Sequence, residues 1–409
     1  MYYALNSNVY IVNGKAKSCI YDLNGLKLFS INKRLAEKID MVNKGQLFEG
    51  DVDDELRIVL DEFISKGLIK LSEYPHTHQI DEIKEIDSNC KFAWIEITSK
   101  CNLKCIHCYN ESDIRCDSVM SLSNFKRVVD SLFKMKVRRI QIIGGEPFYD
   151  SNKLKDMLGY AVGKFDFIEI FTNGTLISNI WFDYLAENNI HIALSVYSYN
   201  AEMHDKVTGS NGSLEKTNRA IEKLKKHGVK YRVCNVLMNN IEIGEKITNL
   251  YTLREDKDVV RMSGRANFSL LSNELIKRKL ITKNSFREPI TKTFCKRMIS
   301  GHNCFRDKIY ISVNMEVFPC VMERRFKHCV IDEQNKIVLD DSIRYFTKDK
   351  VNECSYCEYR YACFDCRPNS LSDNIVEKPW YCTYNPKHGE WIDGDKFIVE
   401  LREKWEEKK

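Results

Sequence analysis

From residue 92 onward, short apolar runs alternate with amphipathic stretches, and this alternation restricts the chain to parallel βα units. The runs fall at 92–98, 137–143, 167–172, 191–196 and 230–237, with a weaker one at 259–263. Amphipathic stretches such as 123–135 and 214–226 lie between them. Six units are too few for a closed eight-fold barrel, so the expected fold is α/β, an open partial (β/α)6 barrel over 91–285. Chemistry in such folds gathers at the C-terminal ends of the strands, and each distinctive motif stands at one. Cys101, Cys105 and Cys108 follow the first run and Gly144-Gly145-Glu146-Pro147 the second. Thr172-Asn173-Gly174-Thr175 follows the third, and Ser195 closes the fourth.

The C-x3-C-x2-C spacing supplies three thiolates. Ordinary four-iron clusters take four cysteines, so a three-cysteine site leaves one iron open to a small molecule. Zinc sites favour two C-x2-C pairs closing a tetrahedron, which this triplet alone does not offer. Paired glycines let a backbone approach a ligand closely; the alternative for Gly144 and Gly145 is a plain strand-to-helix turn. At 409 residues the chain has room for two or three domains. Its 63 basic and 58 acidic residues give a net charge of +5 without a dense basic run, which argues against nucleic acid or a membrane surface as partner. Sixteen cysteines, with no export signal at the N-terminus and no membrane-length apolar stretch, point to metal ligation in a cytoplasmic protein rather than to disulfides.

The cysteine triplet with Gly144-Gly145-Glu146-Pro147 one βα step later resembles the radical SAM superfamily over roughly 91–285. The resemblance implies a [4Fe-4S] cluster on Cys101, Cys105 and Cys108 whose open iron chelates S-adenosylmethionine. It implies that Gly144, Gly145 and Glu146 bind the methionine amino group, that Tyr109 lies near the adenine, and that Ser195 and Asn173 lie near the ribose or methionine. Residues 194–198, His204-Asp205 and Gly212-Ser213-Leu214 resemble the fourth-strand region of peptide- and protein-modifying members. Some relatives carry an arginine where this chain has Thr208, which leaves Arg232 as a candidate for the cofactor carboxylate; the alternative for Arg232 is a structural ion pair. The implied chemistry is one-electron cleavage of S-adenosylmethionine to methionine and a 5′-deoxyadenosyl radical, which abstracts hydrogen from an unactivated carbon.

Residues 1–75 read as a small α+β module. Strands at 9–12 and 17–21 flank Asn13-Gly14, Asn32 caps a helix to about residue 42, and a second helix over 53–66 stops at Gly67 before a strand at 68–71. The module resembles a winged-helix peptide-binding RiPP recognition element; the alternative is a structural cap. A polar linker at 76–90 follows. Beyond residue 286 the alternation fails, and nine cysteines fall between Cys295 and Cys382. Cys304-x15-Cys320, Cys354-x2-Cys357-x5-Cys363-x2-Cys366 and Cys382 resemble the SPASM domain, placed here at 286–409. The resemblance implies two auxiliary [4Fe-4S] clusters, one on Cys295, Cys304, Cys320 and Cys366, the other on Cys354, Cys357, Cys363 and Cys382. Cys329 is an alternative to Cys295. Met315 stands where the family carries glycine, and the last short interval is two residues rather than three; either departure leaves room for an open auxiliary iron. The paired spacings also suit a zinc ribbon. Cys19, Cys90, Cys116 and Cys234 have no partner spacing and read as structural.

The resemblance implies an enzyme that modifies a ribosomally made precursor peptide, its leader held by the N-terminal module. Thioether formation from cysteine sulfur to carbon is the expected bond, with flavodoxin or ferredoxin as electron donor. Alternatives are carbon–carbon or carbon–oxygen crosslinking, epimerisation (which a free cysteine near the site favours), and formylglycine maturation of a sulfatase. From another class, a non-catalytic metal-binding or peptide-carrier protein is possible.

Overall fold

The computed structural model describes residues 1–85, 89–256, 258–302, 305–369, 372 and 374–406; Cys304, expected in the first auxiliary set, lies outside them. The N-terminal module opens with β1 (Tyr2–Leu5) and a three-stranded antiparallel sheet of β2 (Val9–Asn13), β3 (Lys17–Asp22) and β4 (Lys27–Asn32). Helices α1 (Lys33–Asn43) and α2 (Asp54–Ser65) follow, and β5 (Ile69–Ser72) returns to pair antiparallel with β1. Asn32 and Asp53 cap the helices by accepting from the backbone N–H of Leu35 and Leu56. Gly67, at φ +71°, ends α2.

Strand periodicity gives the module two apolar faces. Val9 and Ile20 join Leu5, Ile39 and Leu60 in its own core. Tyr10, Val12, Cys19 and Tyr21 point the other way, into a second core with Ile290, Cys295, Tyr359 and Tyr384 from the C-terminal third. The supposed linker is partly docked too, because Ile80 and Ile83 are buried in this second core.

The barrel segment alternates as its sequence requires: β6 (Phe92–Glu96), α3 (Leu122–Lys134), β7 (Arg139–Ile143), α4 (Ser151–Ala161), β8 (Phe167–Thr172), α5 (Ile180–Glu187), β9 (His191–Ser195), α6 (Ala201–Thr208), α7 (Ser213–Lys226) and β10 (Tyr231–Cys234). Residues Phe125, Val128, Val129 and Leu132 of α3 form one buried stripe at helical spacing. The strands from β6 to β10 run parallel in consecutive order. The sixth expected strand shrinks to a single parallel bridge, Leu237 to Val259. Val259 and Val260 are followed by Arg261 and then Ser263-Gly264, too short an apolar run to extend a ladder.

The sheet instead grows at its other edge. After α8 (Asn273–Lys279) and α9 (Lys292–Ile299), β11 (Lys308–Ile311) joins parallel to β6, and β12 (Glu316–Phe318) and β13 (Cys329–Val330) continue antiparallel. Met315, standing where the SPASM family carries glycine, takes φ +67° in the turn before β12, so the turn keeps the conformation that glycine adopts without cost. The short helices α10 (Asp341–Arg344) and α11 (Asn352–Ser355), a hairpin of β14 (Tyr384–Asn385) and β15 (Glu390–Trp391), and α12 (Gly394–Glu406) complete the chain.

Candidate active site

The cysteine loop leaves β6 and is pinned from several sides. Cys101 N donates to Asp113 O, and the N–H groups of Lys104 and Ile106 donate to Thr208 O and Val207 O at the end of α6. The double glycine explains the contact with the next strand. A Cβ on Gly144 would stand 2.3 Å from Thr98 O, and one on Gly145 2.2 Å from Lys100 O. With neither present, Gly145 N donates to Thr98 O at 2.7 Å and Glu146 N to Lys100 O at 2.8 Å. The two motif loops are thus bolted together, as a plain turn would not require.

Between them lies a cavity of ≈ 350 Å³ at the C-terminal ends of the strands. Cys101, Cys105 and Cys108 line it, together with Tyr109, Gly144, Gly145, Asn173 and Ser195. Burial pushes the Cys101 thiol up to about 12, helped by the charge of Glu146, and burial beside Cys108 and Cys101 raises Cys105 as well. Thiols raised in this way beside a third cysteine fit a bound metal group, whose positive charge allows thiolates to form. Among the described residues no three His, Cys, Asp or Glu side chains converge tightly enough for a single metal ion; the thiols here surround a cavity instead.

Two expected cofactor contacts fall elsewhere. Glu146 is wholly buried but is not among the cavity-lining residues. Its carboxylate accepts from Thr172 Oγ1 at 2.6 Å, Asn173 N at 2.8 Å and Phe148 N at 3.0 Å, so it ties the second strand loop to the third rather than offering a free oxygen to an ammonium. Arg232 is also outside the cavity. It makes a two-pronged pair with Glu169 on β8, 2.8 Å at each contact, because β10 places it on the sheet face that Glu169 shares. Its remaining nitrogen donates to Cys234 Sγ at 2.8 Å.

The cavity's arginines are instead Arg261 and Arg265, which strand periodicity did not reveal. Arg265 donates to Cys105 O and Ser112 O, and a Cβ on Gly264 would stand 2.3 Å from Cys108 O. The Ser263-Gly264 breaker was the available signal for this close approach. Thr208 lines the cavity, its hydroxyl 2.7 Å from Ser213 Oγ. Asp205 accepts from Ser213 Oγ and Leu214 N, which accounts for the His-Asp and Gly-Ser-Leu motifs as a cap on α7. His204 accepts from Tyr197 N through Nδ1, and burial lowers its pKa to about 4 despite Asp205. Cys234, expected to be structural, lines the cavity.

The C-terminal cysteines divide differently from expectation. Cys354, Cys357, Cys363 and Cys382 border one small cavity, as the second auxiliary set requires. Cys320 and Cys366 lie together beside Arg261. Cys295 is not with them: it sits in the apolar core beside Cys19, carried there by α9 against the N-terminal sheet. Cys329 is on β13 against the barrel core. Arg261 and Asp258 also border a second cavity of ≈ 540 Å³ that reaches Lys279, Cys363, Cys366 and Leu28 of the N-terminal sheet.

Comparison with known proteins agrees with this architecture. Residues 95–251 match the model of the Radical SAM superfamily. Over 179 residues, 43% of this chain and 38% of the relative, the sequence is 34% identical to the antilisterial bacteriocin subtilosin biosynthesis protein AlbA of Bacillus subtilis. Over 144 residues, 35% of this chain and 36% of the relative, it is 31% identical to the mycofactocin maturase MftC of Mycolicibacterium smegmatis. The chain thus spans well under half the length of these curated relatives. The fold is similar to that of Streptococcus suis SuiB bound to precursor peptide SuiA, with TM-score 0.52 and 14% identity, covering 91% of this chain and 98% of that one. It is also similar to anSMEcpe with bound AdoMet and Cp18Cys peptide, with TM-score 0.51 and 18% identity, covering 78% and 98%. The bolted cysteine and double-glycine loops, at the ends of consecutive parallel strands, belong to a radical SAM domain over residues 95–251.

Proposed function

We propose that this chain is a radical SAM enzyme that modifies a ribosomally made precursor peptide, joining cysteine sulfur to carbon. The observation that carries the reading is the pairing of two thiol sets: Cys101, Cys105 and Cys108 around the barrel cavity, and Cys354, Cys357, Cys363 and Cys382 around a second one. When bound at the first set, a four-iron cluster with one free iron supplies the electron for S-adenosylmethionine cleavage. Gly144, Gly145, Asn173, Ser195 and Tyr109 then orient the cofactor, and the closure of the 261–265 segment over the cysteine loop excludes water. Sequence relatives named for subtilosin biosynthesis and mycofactocin maturation, and a fold neighbour seen with a precursor peptide, support a peptide as substrate. The shared wall at Arg261 and Asp258 offers that peptide a path from the N-terminal module to the barrel. A flavodoxin or ferredoxin in the cytoplasm is the proposed electron source; no helix among the described residues is long and apolar enough to cross a membrane.

Thioether formation removes one hydrogen from S–H and one from C–H: the 5′-deoxyadenosyl radical would take the C–H hydrogen, the thiol proton would leave to solvent, and the remaining electron would pass to a cluster held by Cys354, Cys357, Cys363 and Cys382. With a cysteine-containing precursor encoded beside the gene, the product is expected to be lighter by two hydrogens per crosslink, with cysteine alkylation lost in step. Replacing Cys357 is expected to block this product while 5′-deoxyadenosine still forms. A two-hydrogen loss with every thiol still alkylatable would instead establish carbon–carbon or carbon–oxygen joining.

Cys234 favours a second reading. Its thiol lines the barrel cavity, held by Arg232, where it can return a hydrogen atom to a substrate carbon radical, the thiyl left behind then taking an electron from the flavodoxin or ferredoxin and a proton from solvent. Epimerisation through it gives a product of unchanged mass and free thiols, with one deuteron gained per centre in deuterated solvent. Cys234→Ala would abolish that product.

A further inference from the structure

Behind the second thiol set lies a charged group that the peptide chemistry does not use. Lys348 borders the same small cavity as Cys354, Cys357, Cys363 and Cys382. Only 3% of Lys348 is exposed, and its ammonium donates to Cys363 Sγ at 2.9 Å while lying 2.9 Å from a carboxylate oxygen of Asp365. Asp365 also pairs with the guanidinium of Arg367 and lies 3.8 Å from His302 Nε2. Asp365 is thus the carboxylate that these basic groups share.

The charges do not balance within this group. Among the described residues two enclosed cations, Lys348 and Arg367, face one enclosed carboxylate. An interior excess of positive charge is costly unless an anion adjoins it. The adjoining groups are the thiols of Cys363 and Cys354, both within electrostatic reach of Lys348. Thiolates on a four-iron cluster would supply the missing negative charge.

We propose that Lys348 is a positioning residue for the second auxiliary set: it holds the Cys363 sulfur through an N–H···S hydrogen bond and raises the reduction potential of the cluster bound there, with Asp365 as the counter-charge that limits the rise. This rests on the reading of these four cysteines as cluster ligands. The physical basis is that hydrogen bonds to ligand sulfurs and nearby charge set cluster potentials. Each added electron increases the negative charge beside a fixed cation, so reduction costs less with Lys348 present.

The test is a redox titration, followed by electron paramagnetic resonance, of the anaerobically reconstituted full chain, with iron analysis alongside. Lys348→Met is expected to lower the midpoint of one cluster by at least tenfold in its reduction equilibrium, about 59 mV for one electron. Asp365→Asn is expected to raise the same midpoint, Lys348→Arg to leave it near the parent value, and the Cys101 set to be unmoved in all three. Opposite shifts on removing the cation and the anion are not a result that loosened packing produces. Unchanged midpoints, or shifts of one sign in both charge-removing variants, would overturn the proposal. Should Lys348→Met fail to hold iron, Asp365→Asn decides: an upward shift with full iron content supports the role, and no shift or a downward one ends it. Parent protein that holds no iron on Cys354, Cys357, Cys363 and Cys382 would overturn the ligand reading itself, and is recognised by an iron content that Cys357→Ala does not lower.

Discussion

Glu146 shows how a motif residue can serve its site without touching the ligand. Each carboxylate oxygen is committed to donors from the neighbouring loops. Glu146→Gln sets an amide N–H against the Asn173 N–H, and is expected to lower stability by about 1–3 kcal/mol, measured as anaerobic denaturant unfolding. His204 gives a pH signature. Its folded pKa of about 4 lies below the unfolded value of about 6.5. The stability it contributes is therefore complete above pH 6.5 and is lost as pH falls towards 4. Between pH 7 and 5.5 the parent should lose about 1 kcal/mol more than His204→Gln; equal losses would place a proton on His204 in the folded chain. Spacing revealed the cysteine triplet and the double glycine because those residues have few other uses at a strand end. It left Arg232 open between a cofactor contact and a structural ion pair, since an arginine on a strand gives no sign of which face carries a partner such as Glu169. It passed over Arg261 and Arg265, which owe their place to a breaker rather than to a strand.

Among the elements, the N-terminal hairpin carries the clearest consequence. Alternation made β2 and β3 legible, but not the fact that both faces are buried, because the second face is covered in large part by distant residues such as Ile290 and Tyr359, more than 260 positions further along the chain. Gly14 sits at that contact: a Cβ there would stand 2.9 Å from Glu358 N and from Tyr356 O, beside Cys357. Gly14→Ala is expected to cost about 1–3 kcal/mol through this overpacking and to quicken alkylation of Cys357 in the iron-free chain. Gly67→Ala, with open space around it but φ +71°, should cost about 1 kcal/mol and leave Cys357 as protected as before. Equal alkylation in the two variants would show that the hairpin does not cover the cysteine segment. The same contact explains why Cys295 does not stand with the set that the resemblance implied. Its helix α9 turns it toward Cys19 and the N-terminal sheet, whereas Cys320 and Cys366 face Arg261.

At the scale of the whole molecule, one parallel sheet gathers the cysteine loop, the double glycine, Asn173 and Ser195 at the same edge, and β11 brings the cysteine-rich third alongside β6. The sequence pattern conveyed the parallel order, because buried strands and amphipathic helices alternate there. It did not convey the three-strand extension, since β11 to β13 come from a region where cysteines and turns obscure any period. The central claim is that Cys101, Cys105 and Cys108 hold the cluster that cleaves S-adenosylmethionine, with further iron in the C-terminal third. The most direct test is to quantify iron and 5′-deoxyadenosine side by side in the anaerobically reconstituted parent and in the chain with all three changed to alanine. Each four-iron cluster contributes about four irons, so the triple variant should lose about four irons relative to the parent and form no 5′-deoxyadenosine. A triple variant that still forms 5′-deoxyadenosine would contradict the assignment.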